Sequence, residues 1–281
     1  MSVRTIRLRR LLDELEVQAG DLVYLHTSFS RLRHLGLSPT AFLDVLIEHL
    51  GPAGTLVSPS FAWHLDPLAR PWSGYARYYV ERPVFDVRTT PANIGLIPEL
   101  FRQRPGVRRS THFWWSVAAL GPLAEIIIQE QEDVTHPYGH NSAFSRMHRH
   151  GVKILGLGVT LNTTSLAPIV DHELGDRHTQ RILSADLEEG VVVDTEGRRI
   201  VTRAYWLLPE VVRLIAPSEV FDRAQGLDGR LRRVDEGATI QFAYPFQAYF
   251  VSAMRLGTDA AVQGERMPWL RRFPLRADGP R

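Results

Sequence analysis

Residues 171–173 place an acid, a base and an acid side by side: Asp171, His172 and Glu173. A histidine can move a proton during a reaction, and a neighbouring carboxylate can orient its ring. The triple lies in "LNTTSLAPIVDHELGDRHTQR" (161–181), a segment that follows a buried-strand pattern and opens a helix. Successive helical side chains point about 100° apart, so the three cannot all face one ligand. His172 and Asp176 share one face. Glu173 and Arg177 share another, in the acid-before-base order of a surface ion pair, which gives Glu173 a structural reading. Asp171 falls in the first turn or two after a Ser165 cap, where the helix dipole also stabilises a carboxylate.

The elements that must hold this segment follow from the pattern around it. "DLVYLH" is a short apolar run with β-branched and aromatic members, a buried strand. "SPTAFLDVLIEHLG" reads as a helix capped by Ser38, started by Pro39 and stopped by Gly51. "GTLVSPSF", "SVAALG" and "VKILGLGV" read as further strands. "NIGLIPELFRQRPG", striped by Ile94, Ile97, Leu100 and Phe101, reads as a helix, as do "LAEIIIQEQ" and "AFSRMHRHG". After about residue 185 the alternation gives way to a hairpin in "GVVVDTEGRRIVT" and a strand running into a helix in "ATIQFAYPFQAYFVSAMRLG". The fold class expected is α/β, a mixed sheet flanked by helices with an α+β C-terminal extension. One domain is expected over 1–281, with a core to residue 180, the extension over 181–265 and a basic tail over 266–281.

Composition narrows the chemistry. The 281 residues are 44% hydrophobic and 23% charged, which suits a soluble globular enzyme. Cysteine is absent, which removes disulfides, thiolate metal sites and a cysteine nucleophile. The net charge is only +2 and the basic residues are spread out, so nucleic acid is not an expected partner. No apolar run approaches the roughly 20 residues of a membrane helix, and the charged amino terminus lacks a signal-peptide core. A cytoplasmic location is the expectation.

In its first 180 residues the order of motifs resembles the aminoglycoside 3-N-acetyltransferase family, whose members move acetyl from acetyl-CoA to an amine. The pieces that carry the resemblance are "GDLVYLHTSFSRLRHLG", "LGPAGTLVSPSFAW", "FDVRTTPANIGLIPELFRQRPGVRRSTH", "SVAALGPLAE", "PYGHNSAFSRM" and "GVKILGLGVTLNTTS". The resemblance implies a family α/β fold distinct from the GNAT acetyltransferases. It also implies acetyl-CoA or another short acyl-CoA as co-substrate, with no metal, and a small-molecule amine acceptor. A homodimer is compatible with it.

Site residues follow from the same resemblance. His26, Thr27, Ser28, Phe29 and Arg31 would line the cofactor cleft at a strand end, where hydroxyls, loop amides and arginine suit pantetheine or phosphate. Ser110 and His112 join them by position. Arg108 and Arg109, on residue type alone, read as solvated charges. Trp63, Trp114, Tyr138 and Asn141 are the acceptor contacts expected, with Phe113 and Trp115 as neighbouring core or pocket aromatics.

One departure bears on mechanism. The family commonly carries a histidine and, three positions later, a glutamate; here these positions fall on Pro168 and Asp171. Proline cannot be a base. His172 with Asp171 is the first-ranked replacement, His26 and His112 are the alternatives, and an acceptor needing no strong base is the third course. Because "FAWHLDPLARPWSGYARYYVERP" is aromatic and basic, a less cationic acceptor than an aminoglycoside is expected. Two other function classes remain. One is an acyl-CoA-binding homologue that has lost its base. The other is a metal-dependent hydrolase using His26, His64, Asp171 and His172, although no HxH or HExxH spacing appears among the 11 histidines.

Overall fold

The computed structural model describes residues 3–62, 84–177, 182–205, 216–224, 227, 229–236 and 239–270. Its centre is a seven-stranded mixed sheet. The strands are β1 (Leu22–Thr27), β2 (Thr55–Pro59), β4 (Arg108–Arg109), β5 (Val117–Leu120), β6 (Lys153–Leu157), β9 (Arg232–Glu236) and β10 (Thr239–Pro245), in the order β4-β5-β2-β1-β6-β10-β9. The middle trio β2-β1-β6 is parallel, and β5 and β10 flank it in antiparallel sense. A second sheet joins β3 (Val84–Asp86), β7 (Glu188–Val193) and β8 (Arg199–Ala204).

Strand alternation feeds two cores. Val23 and Leu25 of β1 point to one face, where they meet Leu8, Leu12, Phe42 and Leu46 of α1 (Val3–Glu14) and α2 (Pro39–Leu50). α3 (Leu96–Arg102) adds Ile97 and Phe101 to that face. Tyr24 points to the other face, which is rich in aromatics. That face takes Phe144 from α5 (Ala143–Arg149), Val170 and Leu174 from α6 (Pro168–Leu174), and Phe221 from α7 (Ser218–Arg223). It also takes Phe246 and Tyr249 from α8 (Phe246–Val262). α4 (Ala124–Ile128) closes the edge beside β5.

The punctuation of α2 is as expected: Ser38 Oγ accepts the Ala41 N–H at 3.1 Å, Pro39 opens the helix, and Gly51 leaves it at φ +65°. The hairpin of β7 and β8 turns at Gly197, φ +83°, with Asp194 Oδ1 accepting the amides of Glu196 and Arg198 at 2.9 Å each.

Three expectations are corrected. α3 starts only at Leu96, because Gly95 at φ 140° breaks the chain after Ile94. α6 starts at Pro168 after Ala167 with no side-chain cap, so Ser165 does not cap it. The α+β segment 181–265 also adds β10 and β9 to the central sheet, β10 pairing with β6. The tail expected from residue 266 is docked through residue 270, with Met267, Trp269 and Leu270 buried; 271–281 lie outside the described residues.

Gly156 in β6 sits opposite Phe242 in β10, and a Cβ there would overlap the Phe242 ring. Gly156→Ala should therefore lower stability by about 1–3 kcal/mol, the usual penalty of overpacking. In urea unfolding, adding Phe242→Leu should recover part of that loss; strictly additive losses would contradict the overlap.

Candidate active site

The carboxyl ends of β1, β2 and β6 lie together, and open α/β sheets usually take ligands at this end. His26 is 4% exposed on the aromatic face, its ring edge-on to Tyr24 at 4.8 Å, and burial pushes its pKa down to about 3. His26 Nε2, Thr27 Oγ1 and Ser60 Oγ are buried without a hydrogen-bond partner among the described residues. The chain leaves β1 through Ser28, whose N–H donates to Leu157 O at 3.0 Å. Gly158, at φ +72°, lets β6 pass: a Cβ there would come within 2.7 Å of Ser28 O. Phe29 turns away and packs edge-on to Phe42 on the α2 side, while Arg31 is exposed.

The other cofactor-cleft segment reaches the same end of the sheet by β4 and β5. Ser110 Oγ accepts the Val117 N–H at 2.9 Å, so this hydroxyl closes the β4–β5 turn. His112 Nδ1 accepts the amides of Trp114 and Trp115 at 3.1 Å each, and burial lowers its pKa to about 3. Phe113, Trp114 and Trp115 are all core residues. Arg109 is not a solvated charge. It is buried, donates to the carbonyls of Thr90 and Ser60, stacks over Phe85 at 4.5 Å, and is lowered to about 9 by burial. Arg108 is exposed and pairs with Glu125.

The triple of α6 divides its members between two environments. Asp171 is 5% exposed and its Oδ1 accepts the Trp269 indole N–H at 2.9 Å. His172 is half-buried and turns its Nδ1 to His136 Nε2 at 3.2 Å. The carboxylate thus bonds to Trp269 and the imidazole to His136. Glu173 does not pair with Arg177: its Oε1 lies 3.9 Å from His140 Nδ1, and Arg177 donates to the carbonyls of Leu174 and Glu173 instead. The reason is local. Gly175 at φ +51° ends the helix before Arg177 can complete the expected spacing.

His136 and His140 come from the loop before α5, ahead of the Ser142 cap. The Tyr138 amide donates to His136 Nδ1 at 3.2 Å. Burial, then the neighbouring His172, lowers His136 to about 4; burial also lowers His172, against the opposing charge of Glu173. Beside His136 lies a cavity of about 300 Å³ whose walls include Glu130, Asp133, His136, His140, Asn141 and Arg146. Asn141 is exposed there, but the Tyr138 ring is buried between Trp115 and Phe144, so its backbone alone serves this site. Trp114 is likewise in the core, and Trp63 lies outside the described residues. A metal set of His26, His64, Asp171 and His172 is not assembled among the described residues. His64 lies outside them, and the group whose donor atoms lie within 4.8 Å of one another is His140, His172 and Glu173.

Sequence reasoning missed His136, His140 and Trp269. The "HPYGH" spacing of the two histidines was visible, but nothing local said that α6 would pack against that loop.

Residues 24–223 match the profile of the family described as aminoglycoside 3-N-acetyltransferase. Aminoglycoside N(3)-acetyltransferase IX of Micromonospora chalcea is 30% identical over 203 residues, 69% of this chain and 69% of that protein. The structure of AAC-IIIb in a binary complex with CoASH superposes at TM-score 0.70 and 21% identity, over 94% of this chain and 98% of that one. An alanine variant of AAC(3)-IVa in complex with a gentamicin superposes at TM-score 0.69 and 23% identity, over 92% and 91%. The two superpositions establish a shared fold.

His26 and His112 are neutral in the folded chain down to about pH 3, whereas in the unfolded chain each takes a proton near pH 6.5. Their contribution is complete above pH 6.5 and is lost as pH falls from there toward 3, at about 1.4 kcal/mol per pH unit for each ring. Urea midpoints should drop between pH 6.5 and 4.5, less steeply in His26→Gln. Equal slopes in the two proteins would remove His26 from this account.

Proposed function

The chain belongs to the aminoglycoside 3-N-acetyltransferase family, and from that premise we propose that it transfers acetyl from acetyl-CoA to an amine of an aminoglycoside or related amino sugar. The observation that carries this reading is the set of buried polar atoms without partners among the described residues at neighbouring strand ends: His26 Nε2, Thr27 Oγ1 and Ser60 Oγ. Burying a polar atom without a hydrogen bond costs about 1–3 kcal/mol, which a ligand with amides and a carbonyl offsets. The pantetheine arm of acetyl-CoA has both. Arg31, exposed just beyond Ser28, would pair with the phosphate oxygens of acetyl-CoA.

The acceptor takes the cavity beside His136. Its wall holds Glu130 and Asp133 together with Arg146, which pairs with Glu130, so Asp133 is the carboxylate that favours a cationic amine. The sequence argument for a less cationic acceptor rested on residues 61–83, of which 63–83 lie outside the described residues. The names of the relatives point to the same acceptor class. Reaction forms a bond from the amine nitrogen to the acetyl carbon and breaks the bond from that carbon to sulfur; the amine's proton leaves with the thiolate as CoA thiol. Asp171 holds α6 in place through Trp269, and His172 is the imidazole this helix presents toward the loop of the acceptor cavity.

Acetyl-CoA at a hundred times its dissociation constant should stabilise the protein by about 2.7 kcal/mol in a thermal shift. His172→Ala should keep that shift and lose about 10²–10³ in kcat with an aminoglycoside, the usual cost of a polar group that acts on the transition state. A shift without turnover in the parent protein would replace this reading by a binding protein that lost its chemistry at Pro168. Absence of any shift would refute the cofactor assignment.

A further inference from the structure

Two hydrogen bonds in series determine where the site's protons sit. The Tyr138 amide can only donate, and it faces His136 Nδ1 at 3.2 Å. A neutral imidazole carries one N–H, so that of His136 is on Nε2. This N–H faces His172 Nδ1 at 3.2 Å, which must accept it. The single proton of a neutral His172 is thereby placed on Nε2. Both rings are shifted toward the neutral form, His136 to about 4 and His172 downward, chiefly by burial.

We infer that His136 is a positioning residue that locks His172 in the Nε2–H tautomer, so that His172 serves acetyl transfer as a hydrogen-bond donor to the thioester oxygen rather than as the base. The inference rests on the acetyltransferase reading for its second half and on geometry alone for its first. To act as a base, His172 would need the Nδ1 lone pair, and His136 N–H covers it. At Nε2 it offers a proton, which suits an oxygen that gains negative charge.

The step balances without an imidazole base. The free-base amine attacks the carbonyl carbon, and the carbon–oxygen π pair moves onto oxygen beside the His172 Nε2–H. Collapse re-forms the carbonyl and breaks the carbon–sulfur bond, and the proton of the new ammonium centre passes to the thiolate. A neutral imidazole in an electrophilic role has precedent as a chemical principle. The lock also argues against a divalent ion on His140, His172 and Glu173, because the outward nitrogen of His172 holds a proton instead of a lone pair.

Among the described residues, His136 and His140 from the loop, with ring centroids at 4.1 and 5.6 Å, and Glu173 on α6 itself are the ionisable groups that face His172. With the imidazole acting as donor, rate against pH should follow the free-base fraction of the acceptor.

The test uses the full chain labelled with ¹⁵N, without substrate, at pH 7.5. Long-range imidazole ¹H–¹⁵N correlations should show His136 and His172 both protonated on Nε2; a proton on Nδ1 of His172 would overturn the lock. His136→Phe removes the donor at similar volume and should leave His172 a tautomer mixture. It should also lower kcat at least about tenfold, since a wrong tautomer can cost up to about 10⁴, without changing KM for acetyl-CoA. His136→Gln, which keeps an N–H, should restore much of the rate; equal losses in the two variants would reduce His136 to a packing role and overturn the positioning claim. Two acceptors with different amine pKa values should give pH–rate profiles whose inflections differ accordingly. A common inflection for both would restore a base on the enzyme and overturn the donor role. If no amine is acetylated, the donor role falls with the reading it rests on, and the spectrum still decides the lock.

Discussion

A buried carboxylate must be satisfied, and in this fold much depends on how Asp171 is. Its Oδ1 takes the indole N–H of Trp269 from 98 residues further along the chain. Breaking one side of such a bond costs about 1–3 kcal/mol, more when the group left behind is charged. Trp269 is held in turn: its carbonyl accepts the Ala216 N–H at 2.7 Å, and its ring lies so close to Gly257 of α8 that a Cβ there would come within 2.7 Å of it. The C-terminal segment, α6 and α8 are thereby fixed as one unit. His172, the residue after Asp171, inherits its position from that unit.

Around this anchor the two sides of the central sheet do different work. The side covered by α1, α2 and α3 is aliphatic apart from Phe29, Phe42 and Phe101, and it closes the fold. The opposite side is a bed of aromatics on which the site is laid. Tyr24 reaches Phe144 at 6.3 Å, Phe144 stacks on Tyr138 at 5.3 Å, and the backbone of Tyr138 then fixes His136. Burial also raises the Tyr138 pKa, with the Asp171 charge adding to it, so this phenol stays protonated. Rigid rings with two torsions each lose little freedom on packing, which suits them to support polar groups that must not drift.

Much of the fold was legible because its signals are local. Ser38, Pro39 and Gly51 announce α2 unaided, and the apolar runs of β1, β2, β5 and β6 are short and bounded by turns. The site was less legible because its contacts are not local. The sequence placed Asp171 beside His172, but a helix turns adjacent side chains about 100° apart, which sent one to Trp269 and the other to His136. The Glu173–Arg177 pair assumed a helix that runs through Gly175, where the backbone instead goes left-handed. Arg109 read as solvated because nothing near it in sequence accepts its protons. Its acceptors are carbonyls 19 and 49 residues away.

The place of β10 in the central sheet has a bearing on how the chain reaches this structure. β6 can pair with β1 early, but its other edge stays open until β10, beyond residue 238, is available to join it. Gly158 likewise waits for Gln241, 83 residues later, to accept its N–H. Pairings this distant raise the entropic cost of the folding barrier and slow the search. During synthesis an emerging chain would carry an unpaired parallel strand with apolar neighbours, the kind of edge that invites association with another chain. The strand that completes the sheet is therefore also the one that ends the chain's exposure to its own aggregation.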